Sequence, residues 1–477
     1  MLHVPILRLG RPYYSADTIE LAHHADGSLV ACVSQANSGL LARDIPRMDQ
    51  TALERFSIRE LIDLCRRAAD LFLHGALPLG DPAGPRQTFD DYVRQLSATT
   101  GMPVSYCRAN AAKIHRVMDE IEPVLRGLLR GLDFSILDRG WGEQDGRVLS
   151  FFREGRIFGA VLPSNSPGVH SLWIPAVALK APIVLKPGRE EPWSPLRIIA
   201  ALAAAGAPRE ALGFYPTDHA GAAELLRCVD RAMLFGDAST TRAWADDPRI
   251  ELHGPGYSKV VLGDDAAGHW ERHIELIASS IAANGGRSCI NASAVFTPRH
   301  GRALAEALAR RLAGVAALPA DDPRAEIAAF ANPSVAEAID AGIAAGLREP
   351  GAVDLTEQVR GSPRLVRRGR VTWLLPTIIW CERADHPLAN REFLFPYAAV
   401  VECPAEEIPR RIGRSLVVSA ITGDERLTRA LMASAEVDRL NIGPIPTWQL
   451  SWDQPHEGNL FEHLYRQRAF QHAAVGA

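Results

Sequence analysis

The sequence predicts an α/β protein built from two successive parallel-sheet units. Its 477 residues are too many for a single hydrophobic core, so two or more domains are expected. From residue 156 onward, short apolar runs alternate with helical segments, the pattern of parallel strands joined by crossover helices. Near residue 250 the same alternation starts again.

Taken in order, the first hundred residues hold a short strand-like start followed by helices. Residues 57–73 place Ile58, Leu61, Ile62, Leu64 and Ala68 on one apolar stripe, as an amphipathic helix requires. A second helical stretch covers residues 110–129. Residues 133–137, a turn from Gly140 to Gly146, and residues 147–152 read as a β-hairpin. Its strands alternate only partly and its turn is long, which suits a surface or an interface.

The run at 157–162 is continuously apolar, as in a strand buried on both faces. A helical segment with Val169, Leu172, Trp173, Ala176 and Leu179 on one side follows. Strands are expected at 182–186, 212–215 and 232–235, and helices at 195–205 and 220–228. In such sheets ligands bind at the carboxyl ends of the strands, here residues 163–167, 186–189 and 236–239. The second unit, residues 253 to about 445, opens with a strand at 257–262. The helix after it carries Trp270, Ile274, Ile277 and Ile281 and ends at Asn284-Gly285-Gly286. Another helix, with Leu304, Leu308 and Leu312 in register, follows residue 301.

Hydrophobic residues make up 47% and charged residues 23% of the chain, ordinary for a globular enzyme. A net charge of -4 argues against a broad basic face, so nucleic acid is not an expected partner. The first ten residues lack a basic region and Arg8 interrupts their apolar run, unlike a signal peptide. No stretch is long and apolar enough for a bilayer span. The seven cysteines are scattered singly, without Cys-x-x-Cys or zinc spacing, so no metal site and a reduced cytoplasm are expected.

Cys289 lies just past a helix end rich in glycine. Glycines let backbone N–H groups approach a ligand, which suits a thiolate and a nearby oxyanion. A lone cysteine is more commonly a small buried hydrophobe, and local context alone does not decide between the two.

Asn284-Gly-Gly-Arg-Ser-Cys289 resembles the Asn-Gln-Gly-Gln-x-Cys segment around the nucleophile of the aldehyde dehydrogenase superfamily. Leu162-Pro-Ser-Asn-Ser-Pro167 is similar to that family's Pro-Trp-Asn-Phe-Pro turn, and the resemblance makes Asn165 the oxyanion-holding asparagine. Val184-Leu-Lys-Pro187 resembles the Val-x-Lys-Pro strand end, whose lysine, here Lys186, contacts the adenosine ribose. Glu392-Phe-Leu-Phe-Pro396 resembles Glu-Ile-Phe-Gly-Pro, whose glutamate holds the nicotinamide ribose. The segments occur in the family's order at compatible spacings, from about residue 130 to 450. By the same resemblance Pro163, Ser164, Gly236 and Leu252 are expected to border the cofactor. Ile250-Glu-Leu-His-Gly254 resembles the Glu-Leu-Gly-Gly segment, so Glu251 is the candidate general base. His253 replaces a glycine there and reads either as a second acid/base group or as a substitution tolerated in a loop.

Several departures qualify these expectations. The family's Phe-Thr-Gly-Ser-Thr, a helix N-terminus beside the pyrophosphate, appears as Leu234-Phe-Gly-Asp-Ala-Ser239. Asp237 would oppose a diphosphate if turned inward; as an N-cap it would turn onto its own backbone. Arg189 stands where NAD-preferring members often carry glutamate. It could pair with a 2′-phosphate, giving NADP use alongside NAD, or be a solvated surface group. Gly254-Pro-Gly256 is no dinucleotide fingerprint, because Lys259 occupies the third glycine position. The tail at 455–461 replaces the family's Pro-Phe-Gly-Gly-x-Lys segment, so His456, Glu457, Trp448 and Trp452 mark either a distinctive substrate pocket or ordinary packing.

The resemblance implies NAD(P)-dependent oxidation of an aldehyde to a carboxylic acid through a Cys289 thioester. The alternative is a CoA-linked reaction, either acylating oxidation or acyl-CoA reduction; a catalytically idle relative is disfavoured by the joint presence of Cys289, Asn165, Lys186 and Glu392. The fold implied is a cofactor domain (1–132 and 153–252), a catalytic domain (253–445), and bridging segments (133–152 and 446–477) that assemble a homodimer or homotetramer.

Overall fold

Apolar runs too long to leave in water become the strands of two seven-stranded sheets. The computed structural model describes residues 2–455 and 457–471. In the first sheet five parallel strands lie in the order Ile250–His253, Arg231–Phe235, Phe158–Val161, Ile183–Lys186 and Leu212–Phe214. The strand-like start adds Ile6–Arg8 and Arg11–Tyr13, both antiparallel. Alternate strand residues divide between two cores, as the pleat demands. Phe158, Ala160 and Leu185 join Trp173 and Ile198, while Val161, Val184 and Leu234 join Leu225.

The second sheet runs Ala352–Asp354, Thr377–Cys381, Tyr397–Glu402, Ala292–Thr297, Ser258–Leu262, Ser415–Ile421 and Val437–Ile442. Ala352–Asp354 pairs antiparallel with Thr377–Cys381; the remaining neighbours are parallel. His253 ends the edge strand of the first sheet.

Helices begin where the sequence supplies caps. Ser57 and Glu60 form a reciprocal capping box at the start of Ile58–His74, satisfying donors that the first turn leaves open. The stretch expected over 110–129 is two helices, Val104–Asp119 and Ile121–Leu128, meeting at Glu120.

One assignment is corrected. Residues 133–137 form no strand: Asp133 accepts from the Ser135 N–H at 2.8 Å and caps the helix Phe134–Arg139. The hairpin pairs Trp141–Gln144 with Arg147–Arg153. Asp145 and Gly146 turn it at φ 51° and 71°, the conformation of a two-residue I′ turn. Three apolar residues in five suit either structure, and the Asp-Gly pair was the stronger local signal. Tyr465–Gln467 pairs with the other edge of Arg147–Arg153, so the hairpin and the tail do share a sheet.

That pairing fixes the return path of the C-terminal segment. Asn459 caps Leu460–Leu464 and donates to the Leu128 carbonyl at 2.9 Å. Leu460, Phe461 and Leu464 are buried in the first core. Residues just before them are thereby held against the end of the first sheet. Among the described residues, no helix is long and apolar enough to cross a membrane.

Arg197 ties the N-terminal helices to this sheet. Fully enclosed, it donates to the carbonyls of Phe72, Gln87 and Gly75 at 2.9 Å each. Arg197→Leu leaves three buried carbonyls unpaired, each worth about 1–3 kcal/mol. The urea unfolding midpoint should fall accordingly, by an amount equivalent to roughly 3 kcal/mol or more; an unchanged midpoint would contradict the assignment.

Candidate active site

The carboxyl ends of the first sheet and the turn before Ala292–Thr297 enclose a cavity of about 270 Å³. Asn165, Gly236, His253, Cys289, Glu392 and Glu457 are on its wall.

Backbone geometry presents the cysteine. Helix Ile274–Ala282 gives way to Asn284 and Gly285 at φ 54° and 66°, and Gly286 follows at φ 68°. A side chain on Gly286 would collide with the backbone of Pro396, and one on Gly256 with the Cys289 carbonyl. Close packing against Cys289 is thus the role of Gly256. The turn is clamped by amides from both directions. Asn284 Nδ2 donates to Ser166 Oγ (3.1 Å) and Ser288 Oγ (3.0 Å), while its Oδ1 accepts from Asn110 Nδ2 (2.7 Å). Asn291 Oδ1 accepts the Ser288 N–H (2.9 Å), and its Nδ2 donates to the Ala283 carbonyl (2.9 Å).

The thiol of Cys289 donates to Glu457 Oε1 at 2.9 Å. Burial, reinforced by the charge and hydrogen bond of Glu457, pushes the thiol well above its usual pKa, with Lys113 opposing. The other Glu457 oxygen accepts from His253 Nδ1 at 2.6 Å. The His253 ring stacks on Phe235, centroids 4.5 Å apart. Its Nε2 faces Glu251 Oε1 at 3.9 Å, too far for a hydrogen bond. His253 Nε2 and Glu251 Oε2 are both buried without a hydrogen-bond partner among the described residues. Burial favours the neutral ring, but the bond to Glu457 and the charges of Glu457 and Glu251 outweigh it and raise the His253 pKa. Burial also raises Glu251, with Glu457 adding to the effect and His253 opposing it.

Glu392 accepts the N–H groups of Gly256 (3.2 Å) and Tyr257 (2.6 Å). Burial pushes it up to about 7, against the pull of those bonds. Asn165 Nδ2 donates one hydrogen to the Arg287 carbonyl at 2.7 Å, leaving its second for the cavity.

The structure brings Cys289, Asn165, Glu392, Pro163 and Gly236 to one cavity. Ser164 lines a neighbouring pocket with Glu190 and Arg287. Lys186 ends the adjacent strand, its pKa lowered by burial while Glu190 and Asp218 oppose; Arg189 is exposed. Leu252 packs against a core. Glu251 stands behind His253, off the cavity wall. Asp237 accepts from Ser239 Oγ (2.7 Å) and the Thr240 N–H (2.8 Å), so it caps its own short helix while remaining on the wall. His253 ends a strand and is buried, which removes the reading as a loop substitution.

Of the tail residues, Glu457 belongs to the site. Trp448 is exposed and donates to Ser279 Oγ at 3.3 Å. Trp452 lines a small pocket behind Glu457, and His456 lies outside the described residues. Lys113, on helix Val104–Asp119, also lines the cavity. Nothing in the sequence marked it, because its neighbours in space are remote along the chain.

The cavity leaves room for the nicotinamide end of a cofactor. A side chain on Gly254 would make only ordinary contacts, the nearest atom being Thr241 Oγ1 at 3.9 Å, and the Glu392 carboxylate keeps unused lone pairs. Asp237, on the cavity wall, would oppose a diphosphate placed at its helix start.

The family model described as "Aldehyde dehydrogenase family" matches residues 86–408. A search of curated proteins finds no match. The NAD-dependent aldehyde dehydrogenase from Sinorhizobium meliloti is similar at 18% identity, with TM-score 0.77, over 98% of this chain and 94% of that one. P. syringae AldA indole-3-acetaldehyde dehydrogenase, solved with NAD+ and IAA, is similar at 17% identity, with TM-score 0.78, over 98% and 96%. 3,6-anhydro-L-galactose dehydrogenase in complex with NAP aligns at 14% identity, with TM-score 0.76, over 98% and 99%. At these identities the likeness is one of fold.

Glu392 yields a pH prediction. Its folded pKa, about 7, exceeds the unfolded carboxylate value of about 4.3. Its contribution to stability is therefore complete below the unfolded pKa and lost as pH rises through about 7. Between those limits the wild-type melting temperature should fall more steeply than that of Glu392→Gln, by the equivalent of roughly 3 kcal/mol. Parallel curves would refute this.

Proposed function

The chain belongs to the aldehyde dehydrogenase family, a family of oxidoreductases, and from that premise we propose that it oxidises an aldehyde to a carboxylic acid with NAD or NADP through a thioester on Cys289. The observation that carries this is the single cavity holding Cys289, Asn165, Gly236 and Glu392, residues that lie far apart in sequence.

The thiolate of Cys289 adds to the aldehyde carbon, and the carbonyl π pair moves onto oxygen. The free Asn165 amide hydrogen and the Cys289 N–H hold that charge. A bound nicotinamide cofactor supplies the hydride acceptor. Loss of hydride from the tetrahedral carbon leaves the thioester, which water then releases. Glu251, the carboxylate matched to the family's base, is the group proposed to activate that water. Glu392, Gly236, Pro163 and Ser164 border the cofactor, with Leu252 packed behind them. Lys186 takes the adenosine ribose, and the exposed Arg189 is free to meet a 2′-phosphate. Relatives solved with NAD+ and with NAP support either nucleotide.

A thioester can also be released to CoA. The withdrawal of Glu251 from the cavity wall favours that second reading, because water then lacks a directly placed family base.

We further propose a cytoplasmic homodimer or homotetramer. Its contact is the outer edge of Trp141–Gln144, which ends the hairpin sheet.

Cys289→Ala should abolish turnover while leaving nucleotide affinity within about threefold of wild type. An aldehyde panel with NAD or NADP, with and without CoA, identifies the acceptor; strict CoA dependence would replace water in the reaction. Asp237→Ser, which removes a negative charge from the helix start, should tighten nucleotide binding by about fivefold. Weaker binding in calorimetry would place the diphosphate elsewhere.

A further inference from the structure

Glu457 approaches the cysteine from a segment unrelated to either sheet. It follows the last strand of the second sheet, Val437–Ile442, and precedes the tail strand Tyr465–Gln467. We propose that Glu457 is the catalytic base that takes the Cys289 thiol proton, and that His253 is the positioning residue that holds its carboxylate in place. The proposal rests on Cys289 being the nucleophile of aldehyde oxidation.

Geometry separates the two carboxylates. Glu457 Oε1 already accepts from the thiol at 2.9 Å, within reach for direct transfer. Glu251 is turned toward His253 Nε2 and wedged against Gly458, where a side chain would strike its carboxylate. Gly458 has φ 73°, so this left-handed turn both tucks Glu251 away and brings Glu457 forward. His253 is fixed by stacking on Phe235 and by its 2.6 Å bond to Glu457. That bond leaves Glu457 Oε1 aimed at sulfur.

Charged groups reach Glu457 from every element packed against it. Facing Glu457 are His253 and Glu251 from Ile250–His253, Cys289 from its turn, Lys113 from Val104–Asp119, Asp438 and Arg439 from Val437–Ile442, and Glu392. His253, Lys113 and Arg439 offset the acidic groups. The step balances. The S–H bond breaks, its proton passes to Glu457 Oε1, and its electron pair remains on sulfur and forms the C–S bond. Hydride later leaves carbon for the oxidised nicotinamide. The proton held by Glu457 then goes to solvent as the one proton released in forming the thioester.

Rapid mixing of enzyme, aldehyde and oxidised nucleotide reads this step as the burst of reduced nucleotide. Glu457→Gln should slow the burst by about 100-fold or more. Its Cys289 should still react with iodoacetamide, at a midpoint shifted to lower pH, because the carboxylate that disfavours the thiolate is gone. Glu251→Gln should slow the burst by a smaller factor than Glu457→Gln does. His253→Phe should move the acid limb of the burst profile to higher pH, since the hydrogen bond that holds the Glu457 carboxylate is gone; a merely structural defect would lower rates without moving the limb. A Glu457→Gln burst within about threefold of wild type, or a larger loss in Glu251→Gln, would overturn the assignment. Full turnover in Cys289→Ala would instead strike the thioester reading beneath it.

Discussion

A thiol and a carboxylate buried in contact, Cys289 Sγ to Glu457 Oε1 at 2.9 Å, are the constraint around which the site is organised. Burying a carboxylate without partners is costly. The site offsets that cost with the thiol on one Glu457 oxygen and the His253 ring on the other, 2.6 Å away. The same burial, with the charge of Glu457, holds the Cys289 thiol well above its usual pKa.

That contact depends on distant parts of the chain. The turn at Asn284–Gly286 must bring Cys289 beneath Gly256. The edge strand Ile250–His253 must end where His253 can stack on Phe235. The C-terminal segment must return over the first core, anchored by Leu460, Phe461 and Leu464 and by the pairing of Tyr465–Gln467 with the hairpin. A bridging sheet of three short strands therefore governs the position of the carboxylate beside Cys289.

Low sequence identity to relatives of the same fold is easier to understand in this light. The architecture requires apolar strands at particular places, which many sequences supply, and identities of 14–18% with TM-scores near 0.77 follow. The chemical groups are less interchangeable. Placing imidazole at position 253 fills space beside Glu251 and leaves two buried polar atoms unpaired. A second carboxylate, Glu457, then meets the cysteine.

The sequence by itself determined the α/β class, the two runs of parallel strands and the capped helices, because periodicity and caps act over a few residues. It also marked Cys289, Asn165 and Glu392, since each stands in a compact local motif. The short apolar pattern at Phe134–Arg139 fits both a strand and a helix period, so the helix there is not legible in the sequence. The partnership of Glu457 with Cys289, the retreat of Glu251 behind His253, and the presence of Lys113 were decided only by tertiary structure. Glu457 and Lys113 meet the cysteine from positions more than a hundred residues away, and Glu251 is crowded by the equally remote Gly458; no local pattern encodes which distant side chains share a buried cavity.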